Sequence, residues 1–304
     1  MDNYNWFSRW FKRGLSLVSP ELNTRVVYRT KFKKSIDLKC PRTLDEKIQW
    51  LKLNTYKGNP LVNQCADKYR VRDYVEECGC GEILNELYGV YDSVDDIPWD
   101  VLPNQFVLKW NFGCGQNLIV YDKSKLDIEA AEKKLRKWYR IRNTFYLTYS
   151  ELQYRGIPPK LICEKLIETE DGSLPVDYKL YCFNGVPHCV LVCSKRGEVA
   201  HGAQYYFFDK DWNLLRYNKR GKEAPADFTL PKPKGIEQVF DYASKLAKPF
   251  PFVRADFYLE NEKVTFGELT FTPCGGFDVN RLPEMQMKFG EMVDLDFTGR
   301  NSGM

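Results

Sequence analysis

The chain has 304 residues, of which 43% are hydrophobic and 28% charged. This composition predicts a folded globular protein and excludes extensive disorder, which needs low hydrophobicity and a high net charge. The net charge of +4 hides an asymmetry, because residues 1–50 hold 11 Lys or Arg and 5 Asp or Glu while the rest of the chain is slightly acidic. Since a nucleic-acid-binding protein needs a positive face on its body, we expect no nucleic-acid partner.

The N-terminal residues 1–42 are predicted to form a basic and aromatic arm. Within residues 1–20, aromatic and cationic side chains follow a helical spacing that separates two faces: Trp6, Phe7, Trp10, Phe11, Leu15, Arg9, Lys12 and Arg13. The spacing favours a helix that packs its aromatic face on the body or on a second subunit, and the alternative is a peripheral contact with an anionic membrane. No apolar run reaches the ~18 residues of a membrane span. We therefore expect a cytoplasmic protein, placed at the inner face of the membrane if that contact forms.

Residues 43–105 are predicted to form a lobe that precedes the nucleotide-binding region. Thr43 followed by Glu46 is a capping box, which opens a helix that ends near Leu53. A second amphipathic helix is predicted over residues 67–77.

The remainder of the chain alternates strand-like and helix-like patterns. Strands are predicted over 106–110, 117–121, 160–167, 178–183, 186–193, 204–208, 252–259 and 263–271. Helices are predicted over 126–140 and 236–248. We divide this region into a small lid lobe, 106–170, and a larger lobe, 171–304. Strands in antiparallel hairpins with interspersed helices indicate the α+β class.

Two lysines stand beside features that suit phosphate binding. Lys109 ends a strand just before a loop that contains Gly113 and Gly115, and glycines let backbone N–H groups approach an anion closely. The pattern is weak by itself, because most glycine-bearing hairpin loops bind nothing. Lys179 opens a later strand and is either a solvated edge residue or a second cation for the same phosphates.

The strongest chemical signal comes from two strands near the C-terminus. Side chains alternate along a strand, so Arg254 and Asp256 share one face, and Glu268 and Thr270 share a face of the next strand. A hairpin would bring the two faces together. Buried carboxylates and an arginine are costly unless they are paired, and hard oxygen ligands suit Mg²⁺ bridging nucleotide phosphates. The alternative is a surface ion pair, which the apolar neighbours disfavour.

Taken in order, these motifs resemble the TupA-like branch of the ATP-grasp ligases, tied to bacterial surface polysaccharide and teichuronopeptide biosynthesis. The resemblance runs from about Thr43 to about Gly290. It includes Glu-Lys-Leu-Ile at 164–167 and Gly-Glu-Leu-Thr-Phe-Thr-Pro-Cys-Gly-Gly-Phe at 267–277. It implies an ATP-grasp fold with the nucleotide between the small lid lobe and a larger antiparallel-sheet lobe. It also implies a ligase that uses ATP to join a carboxylate to an amine through an acyl phosphate.

The resemblance further implies roles for single residues. ATP would be bound by Lys109, Gly113, Gly115, Glu164, Lys165, Leu166, Lys179 and, near the ribose, Glu170 or Asp171. Mg²⁺ would be ligated by Asp256, Glu268 and Thr270. The phosphoryl group in transfer would be stabilised by Arg254 together with Lys109 and Lys179. The acceptor carboxylate would meet Gly275 and Gly276. Thr270 is a departure, because ATP-grasp ligases commonly have Asn at that position.

Other motifs are predicted to be structural. Asp209 and Asp211 form a D-x-D, typical of glycosyltransferases, but their surroundings favour a hairpin turn. Several cysteines near His188 lack the spacing of a zinc site and are expected to be buried free thiols. Beside the ligase, three alternatives stay open: an ATP phosphotransferase, a glycosyltransferase-associated role and a non-catalytic nucleotide-binding scaffold. The expected partners are a small-molecule or glycan carboxylate acceptor and an amine.

Overall fold

The computed structural model describes residues 3–113, 115–169, 172–195 and 202–299, with the side chains of residues 3–7 left out. The helices in these ranges are α1 (Asn3–Val18), α2 (Pro20–Phe32), α3 (Leu44–Leu53), α4 (Pro60–Ala66), α5 (Val71–Glu77), α6 (Ile128–Tyr139), α7 (Lys219–Glu223), α8 (Ile236–Ala247) and α9 (Pro283–Met292). The predictions for Trp6 and Phe7 side chains, Glu170 and Asp171 fall outside the description.

The strands form two antiparallel sheets, as expected for the α+β class. They are β1 (Leu87–Tyr91), β2 (Phe106–Trp110), β3 (Asn117–Val120), β4 (Leu161–Glu164), β5 (Asp177–Phe183), β6 (Val186–Ser194), β7 (Gln204–Phe208), β8 (Leu214–Leu215), β9 (Phe252–Glu260) and β10 (Lys263–Thr270). The small sheet has the order β1-β4-β2-β3, and the large sheet has the order β10-β9-β5-β6-β7-β8. Two lobes result, and the site lies where the sheets approach each other.

Each sheet has its own hydrophobic core. In β2, the side chains of Phe106, Leu108 and Trp110 are buried on one face, and they pack with Leu135 of α6. In the large sheet, α8 packs against β5, β6 and β9. Ala255 of β9 is fully buried in that core. Since side chains alternate along a strand, the neighbours of Ala255 on β9 are directed to the opposite face, which is the face of the site.

The predicted capping box at Thr43 is confirmed, since the Thr43 hydroxyl and the Glu46 carboxylate each accept a backbone N–H of the other's residue. The helix predicted over 67–77 begins only at Val71. The reason is local, because the Asp67 carboxylate accepts the N–H groups of Tyr69 and Arg70 and closes a turn before the helix.

The N-terminal arm is a pair of antiparallel helices, α1 and α2. Trp10 and Phe11 are more than half exposed in the single chain, so packing of the aromatic face on the body or on a second subunit stays a prediction. Among the helices of the described ranges, none combines the length and hydropathy needed to cross a bilayer. Asp209 lies in the turn between β7 and β8, where its carboxylate accepts the N–H of Asn213, as the turn prediction expects.

Candidate active site

A cleft opens between the small sheet and the β9–β10 hairpin. Its walls are mainly apolar: Val107, Ile119, Leu166, Ile167, Leu174, Tyr258 and Phe266. Lys109, Glu164 and Lys165 also line it. Its volume of about 140 Å³ is well below the roughly 300–1,000 Å³ of clefts that enclose a whole drug-sized ligand. The cleft therefore suits one flat apolar end of a ligand, such as a purine ring, with the rest of that ligand outside it.

Lys109 and Glu164 lie on adjacent strands of the small sheet, β2 and β4. The Nζ of Lys109 is 2.7 Å from Oε2 of Glu164, and Arg72 Nη1 is 3.9 Å from the other carboxylate oxygen. Both partners are largely buried. The lysine predicted to bind phosphate is thus held at the wall of the cleft by a carboxylate that lines the same wall.

Across the large sheet, a row of charged side chains crosses three strands. Lys179 of β5 is the register partner of Asp256 of β9, which in turn is the partner of Glu268 of β10. The Nζ of Lys179 lies 2.7 Å from Oδ2 of Asp256 and also contacts Asp177. The structure therefore brings Lys179 next to a hairpin that lies more than seventy residues further along the chain.

A second row lies one register step away and shares the same face. Arg254 donates to both carboxylate oxygens of Asp256, through Nε at 2.7 Å and Nη2 at 2.6 Å. Its Nη2 also lies 3.2 Å from the hydroxyl of Thr270, its partner in β10. The Thr270 hydroxyl donates to Glu268 at 3.0 Å. Arg254, Asp256, Glu268 and Thr270 form one connected network, on the common face that strand alternation predicts.

A β-bulge at Gly267 sets this arrangement. Phe266 pairs with Phe257, and the next pair is Glu268 with Asp256, so Gly267 is the extra residue. Without the bulge, Glu268 would pair with Ala255 and face the buried core. A side chain at Gly267 has no room, because a Cβ there would lie 2.9 Å from the carbonyl oxygen of Asp256. Sequence reasoning missed the bulge, although an isolated glycine inside a strand is its usual signal.

The electrostatic balance of the site is close to neutral. Three carboxylates, from Asp177, Asp256 and Glu268, contact three cations, from Lys68, Lys179 and Arg254. Burial opposes ionisation of Glu268, but the charges of Lys68, Arg254 and Lys179 outweigh it and lower the pKa of Glu268 to about 2. Burial also opposes the charge of Lys179, yet the Asp256 carboxylate raises its pKa. Glu268 and Lys179 are therefore both charged at neutral pH.

Lys68 belongs to the site, and sequence reasoning assigned it no role. Its Nζ donates to the carbonyl oxygen of Gly113 at 2.6 Å and lies 4.0 Å from Oε2 of Glu268. Lys68 thus connects the glycine-bearing loop of the small lobe to the carboxylate row of the large sheet. The sequence signal for this position is Asp67. Its carboxylate closes a turn that keeps Lys68 outside the helix that begins at Val71. The segment 67–77 was instead interpreted as continuous helix.

The turn after β10 was predicted to donate backbone N–H groups to the acceptor carboxylate, and its geometry differs from that prediction. Cys274, Gly275 and Gly276 have left-handed backbone angles with φ of 55°, 67° and 74°. The N–H of Gly275 donates to the carbonyl of Thr272, so it is not available for an acceptor carboxylate. The carbonyls of Gly275 and Gly276 accept from Nε2 of Gln49 on α3. Gly275 therefore shapes the turn, and its predicted role as an N–H donor to substrate does not agree with this geometry.

The residues predicted to bind a metal ion are Asp256, Glu268 and Thr270. Over the ranges that the structure describes, no group of three or more His, Cys, Asp or Glu side chains is placed to hold a metal ion. The cysteines of those ranges, including Cys182, Cys189 and Cys193 near His188, are free thiols. The donor set is two carboxylates and a hydroxyl, which fits Mg²⁺, because Mg²⁺ is usually bound by one or two carboxylates together with substrate phosphates.

Comparison with known proteins adds a family match. A family model described as TupA-like ATPgrasp matches residues 46–294. No curated protein matches the chain. Similar solved structures include D-alanine–D-alanine ligase from Bacillus anthracis complexed with ATP, at 14% identity and a TM-score of 0.44 over 82% of this chain and 64% of that chain.

Two further structures have comparable similarity. The ATP-grasp ligase PsnB complexed with minimal precursor has 11% identity and a TM-score of 0.43, with coverage of 81% of this chain and 66% of that chain. An L-amino acid ligase from Bacillus licheniformis has 12% identity and a TM-score of 0.44, with coverage of 85% and 55%. The chain thus spans between 55% and 66% of the length of these three proteins.

Proposed function

This chain belongs to the TupA-like ATP-grasp family, and we propose that it is an ATP-dependent ligase that joins a carboxylate to an amine. The family match confirms the resemblance and the ATP-grasp fold expected from the sequence. The observation that carries the proposal is the connected network of Lys179, Arg254, Asp256 and Glu268 next to an apolar cleft. Such a network has the charges for phosphoryl transfer, which is catalysed mainly by positioning and charge neutralisation.

In this proposal, adenine occupies the apolar cleft between the sheets. Leu166 and Phe266 line that cleft, and the segment of Glu164, Lys165 and Leu166 lies beside the ring. The triphosphate extends toward the charged rows. Lys109 then leaves Glu164 and contacts a phosphate. Lys179 leaves Asp256 and contacts a phosphate in the same way. The loop of Gly113 and Gly115 lies over the phosphates, and Lys68 connects that loop to the site.

Asp256, Glu268 and Thr270 would hold Mg²⁺ together with the phosphates. The bound ion would neutralise charge that develops on the phosphoryl oxygens. The protein's six charged groups already balance one another, so a triphosphate adds negative charge that only a cation from outside can offset. Once Arg254 is released from Asp256, its guanidinium can contact the transferring phosphoryl group through the same two donors.

The reaction has two steps. First, an oxygen of the acceptor carboxylate attacks the γ-phosphorus of ATP, the bond to the bridging oxygen breaks, and ADP leaves. Second, the amine attacks the carbonyl carbon of the acyl phosphate, phosphate leaves, and the nitrogen loses a proton to solvent. We place the acceptor between Arg254 and the turn that contains Gly276. Family membership supports a uronic-acid or amino-acid carboxylate, in cytoplasmic steps of bacterial polysaccharide biosynthesis.

Isotope transfer tests the proposal directly. The protein is incubated with ATP, Mg²⁺, an amine mixture and a uronic acid whose carboxylate carries ¹⁸O. We expect ADP release that depends on the carboxylate, ¹⁸O in the released phosphate and a new amide mass. Hydroxylamine in place of the amine should give a hydroxamate. A stable phosphate ester with ¹⁸O retained in the sugar would instead identify a phosphotransferase, and the absence of turnover with every acceptor class would favour a scaffold.

Replacement of Lys109 by Met tests the nucleotide site. We expect a KM for ATP that is at least about tenfold higher, because one charge-assisted contact to a phosphate is lost. The same change leaves Glu164 with Arg72 at 3.9 Å, so a stability loss of about 1–3 kcal/mol is expected. Steady-state kinetics and urea unfolding measure the two effects. Lys160→Met, which removes an exposed lysine paired with Asp92, is the matched control and should leave KM unchanged.

Replacement of Gly267 by Ala tests the bulge. The new Cβ would press on the Asp256 carbonyl and shift β10 along β9, which moves Glu268. A displacement of this kind costs about 10²-fold in turnover, with a stability loss of about 1–3 kcal/mol. Gly14→Ala is the control, since a Cβ there meets nothing within 4 Å. Equal turnover in the two variants would show that the bulge does not position the site.

A further inference from the structure

Helix α1 contacts the body of the protein through its polar side. Ser16 is buried, and its hydroxyl lies 2.8 Å from the hydroxyl of Ser150. On the same side, Nε of Arg13 donates to the hydroxyl of Thr148 at 3.4 Å. The side chain of Asn23 on α2 completes the contact by donating to the carbonyl of Lys12 at 2.6 Å. The usual orientation of an amphipathic helix is therefore reversed, because such helices normally bury their apolar side.

The apolar side of α1 is directed outward. Within residues 8–18, where the side chains of this helix are described, four large apolar side chains have high exposed fractions: Trp10 57%, Phe11 55%, Leu17 73% and Val18 82%. At about 100° per residue, these four positions lie within an arc of about 120°, so they form one continuous strip. Leu22, at the start of α2, is also exposed. We call these five residues the outer apolar face.

The hairpin that carries the outer apolar face is strongly basic. Residues 8–36 contain 8 Lys or Arg and a single acidic residue, Glu21. Four cations of the hairpin are exposed, namely Arg9, Arg29, Lys33 and Lys34. Lys31 is exposed too, but its Nζ lies 5.1 Å from the centre of the Tyr149 ring on the body. Exposed cations on the same hairpin as an exposed apolar strip are typical of helices that lie in a membrane interface.

The charge decides between two occupants of this face. A second copy of the chain would place one strongly positive arm against another, and like charges in contact oppose association. An anionic bilayer offers negative headgroups to the cations and an apolar layer to the strip. We propose that the α1–α2 hairpin docks on an anionic lipid bilayer, with the outer apolar face inserted at the headgroup boundary and the exposed cations of the hairpin attracted to the headgroups.

The proposed docking is independent of the ligase proposal, but it affects where the acceptor substrate would enter the site. Helix α1 is hydrogen-bonded to Thr148 and Ser150. The residue after Ser150 is Glu151, whose carboxylate accepts a hydrogen bond from the hydroxyl of Thr272 at 2.7 Å. Thr272 follows β10 directly, two residues after Thr270. The membrane-facing hairpin and the acceptor end of the site are therefore joined by one short segment.

Vesicle co-sedimentation of the full chain tests the proposal. We expect binding to vesicles of phosphatidylcholine with 30% phosphatidylglycerol as probe, release by high salt and little binding to phosphatidylcholine alone. Trp10→Glu combined with Leu17→Glu should weaken binding at least about tenfold. Each removal of an exposed cation, as in Arg29→Gln, should weaken it roughly fivefold. The control Val101→Glu combined with Val186→Glu changes two exposed valines elsewhere and should bind as the wild type does.

Two results would overturn the proposal. One is equal sedimentation of the wild type, the Trp10/Leu17 variant and the valine control. The other is a concentration-dependent dimer in analytical ultracentrifugation that the Trp10/Leu17 variant abolishes, which would make the face a protein interface. Because the substituted side chains are exposed and the contacts of Ser16 and Arg13 are retained, the variant should keep the thermal midpoint of the wild type. That measurement separates lost binding from lost folding.

Discussion

Glu268→Gln is expected to lower ADP release by about 10²–10³-fold, the loss typical when one preorganised charge is removed from a transition state. Its carboxylate receives the Thr270 hydroxyl at 3.0 Å and lies 3.6 Å from Arg254. Glutamine keeps the shape and the hydrogen bond to Thr270 but removes the negative charge that a metal ion requires. The side chain is 36% exposed, so solvent screening limits the loss of unfolding free energy to about 1–2 kcal/mol.

The pH dependence of stability provides a second readout for the same variant. The pKa of Glu268 is depressed from 4.5 to about 2 in the folded chain. Its stabilising contribution is therefore present above the unfolded value of 4.5 and is lost as the pH falls through the folded value. Urea unfolding between these pH values should show a shallower decline for Glu268→Gln than for the wild type.

Glu262→Gln is the matched control, because Glu262 lies in the turn of the same hairpin and is exposed. It should keep the turnover and the pH profile of the wild type. Turnover of Glu268→Gln close to that of this control would remove Glu268 from the proposed metal site.

The chemistry of the large sheet could be predicted because strand alternation is a local rule. Arg254 and Asp256 share a face, and so do Glu268 and Thr270, whatever the rest of the chain does. The two faces come together if the strands form a hairpin. A hairpin is the simplest arrangement because the turn between β9 and β10 is short. Lys179 was harder, since its position opposite Asp256 depends on which strand pairs with β9, and no local pattern encodes that choice.

The missed features share a physical cause, which is that tertiary contacts override local periodicity. Lys68 reaches the site because Asp67 closes a turn with its carboxylate, whereas the apolar spacing of 67–77 indicated a helix. In α1 the periodicity correctly predicted an amphipathic helix but carried no information about orientation. Ser16 and Arg13 decide that orientation, and their partners Ser150 and Thr148 lie more than a hundred residues away.

Asp256→Asn should produce the largest combined effect, since Asp256 is the centre of both charged rows. Its two oxygens accept from Arg254 and Lys179, and its side chain is 3% exposed. Asparagine leaves this buried cluster with one excess positive charge, although Lys179 keeps Asp177 and Arg254 keeps Glu268. Removal of one partner from a buried ion pair costs about 3–5 kcal/mol of unfolding free energy. ADP release should fall by at least about 10³-fold, because the proposed metal ligand and the anchor of Arg254 are lost together.

A double variant separates the structural part of this loss from the catalytic part. Lys179→Met added to Asp256→Asn removes the excess positive charge, so about 1–2 kcal/mol of stability should return. Activity should not return, since the double variant lacks both the carboxylate and the lysine that we propose binds phosphate. Asp241→Asn, at an exposed position of α8, is the control for both measurements. If the double variant recovered turnover along with stability, the loss in Asp256→Asn would come from misfolding alone, and the proposed role of Asp256 at the metal would have no support.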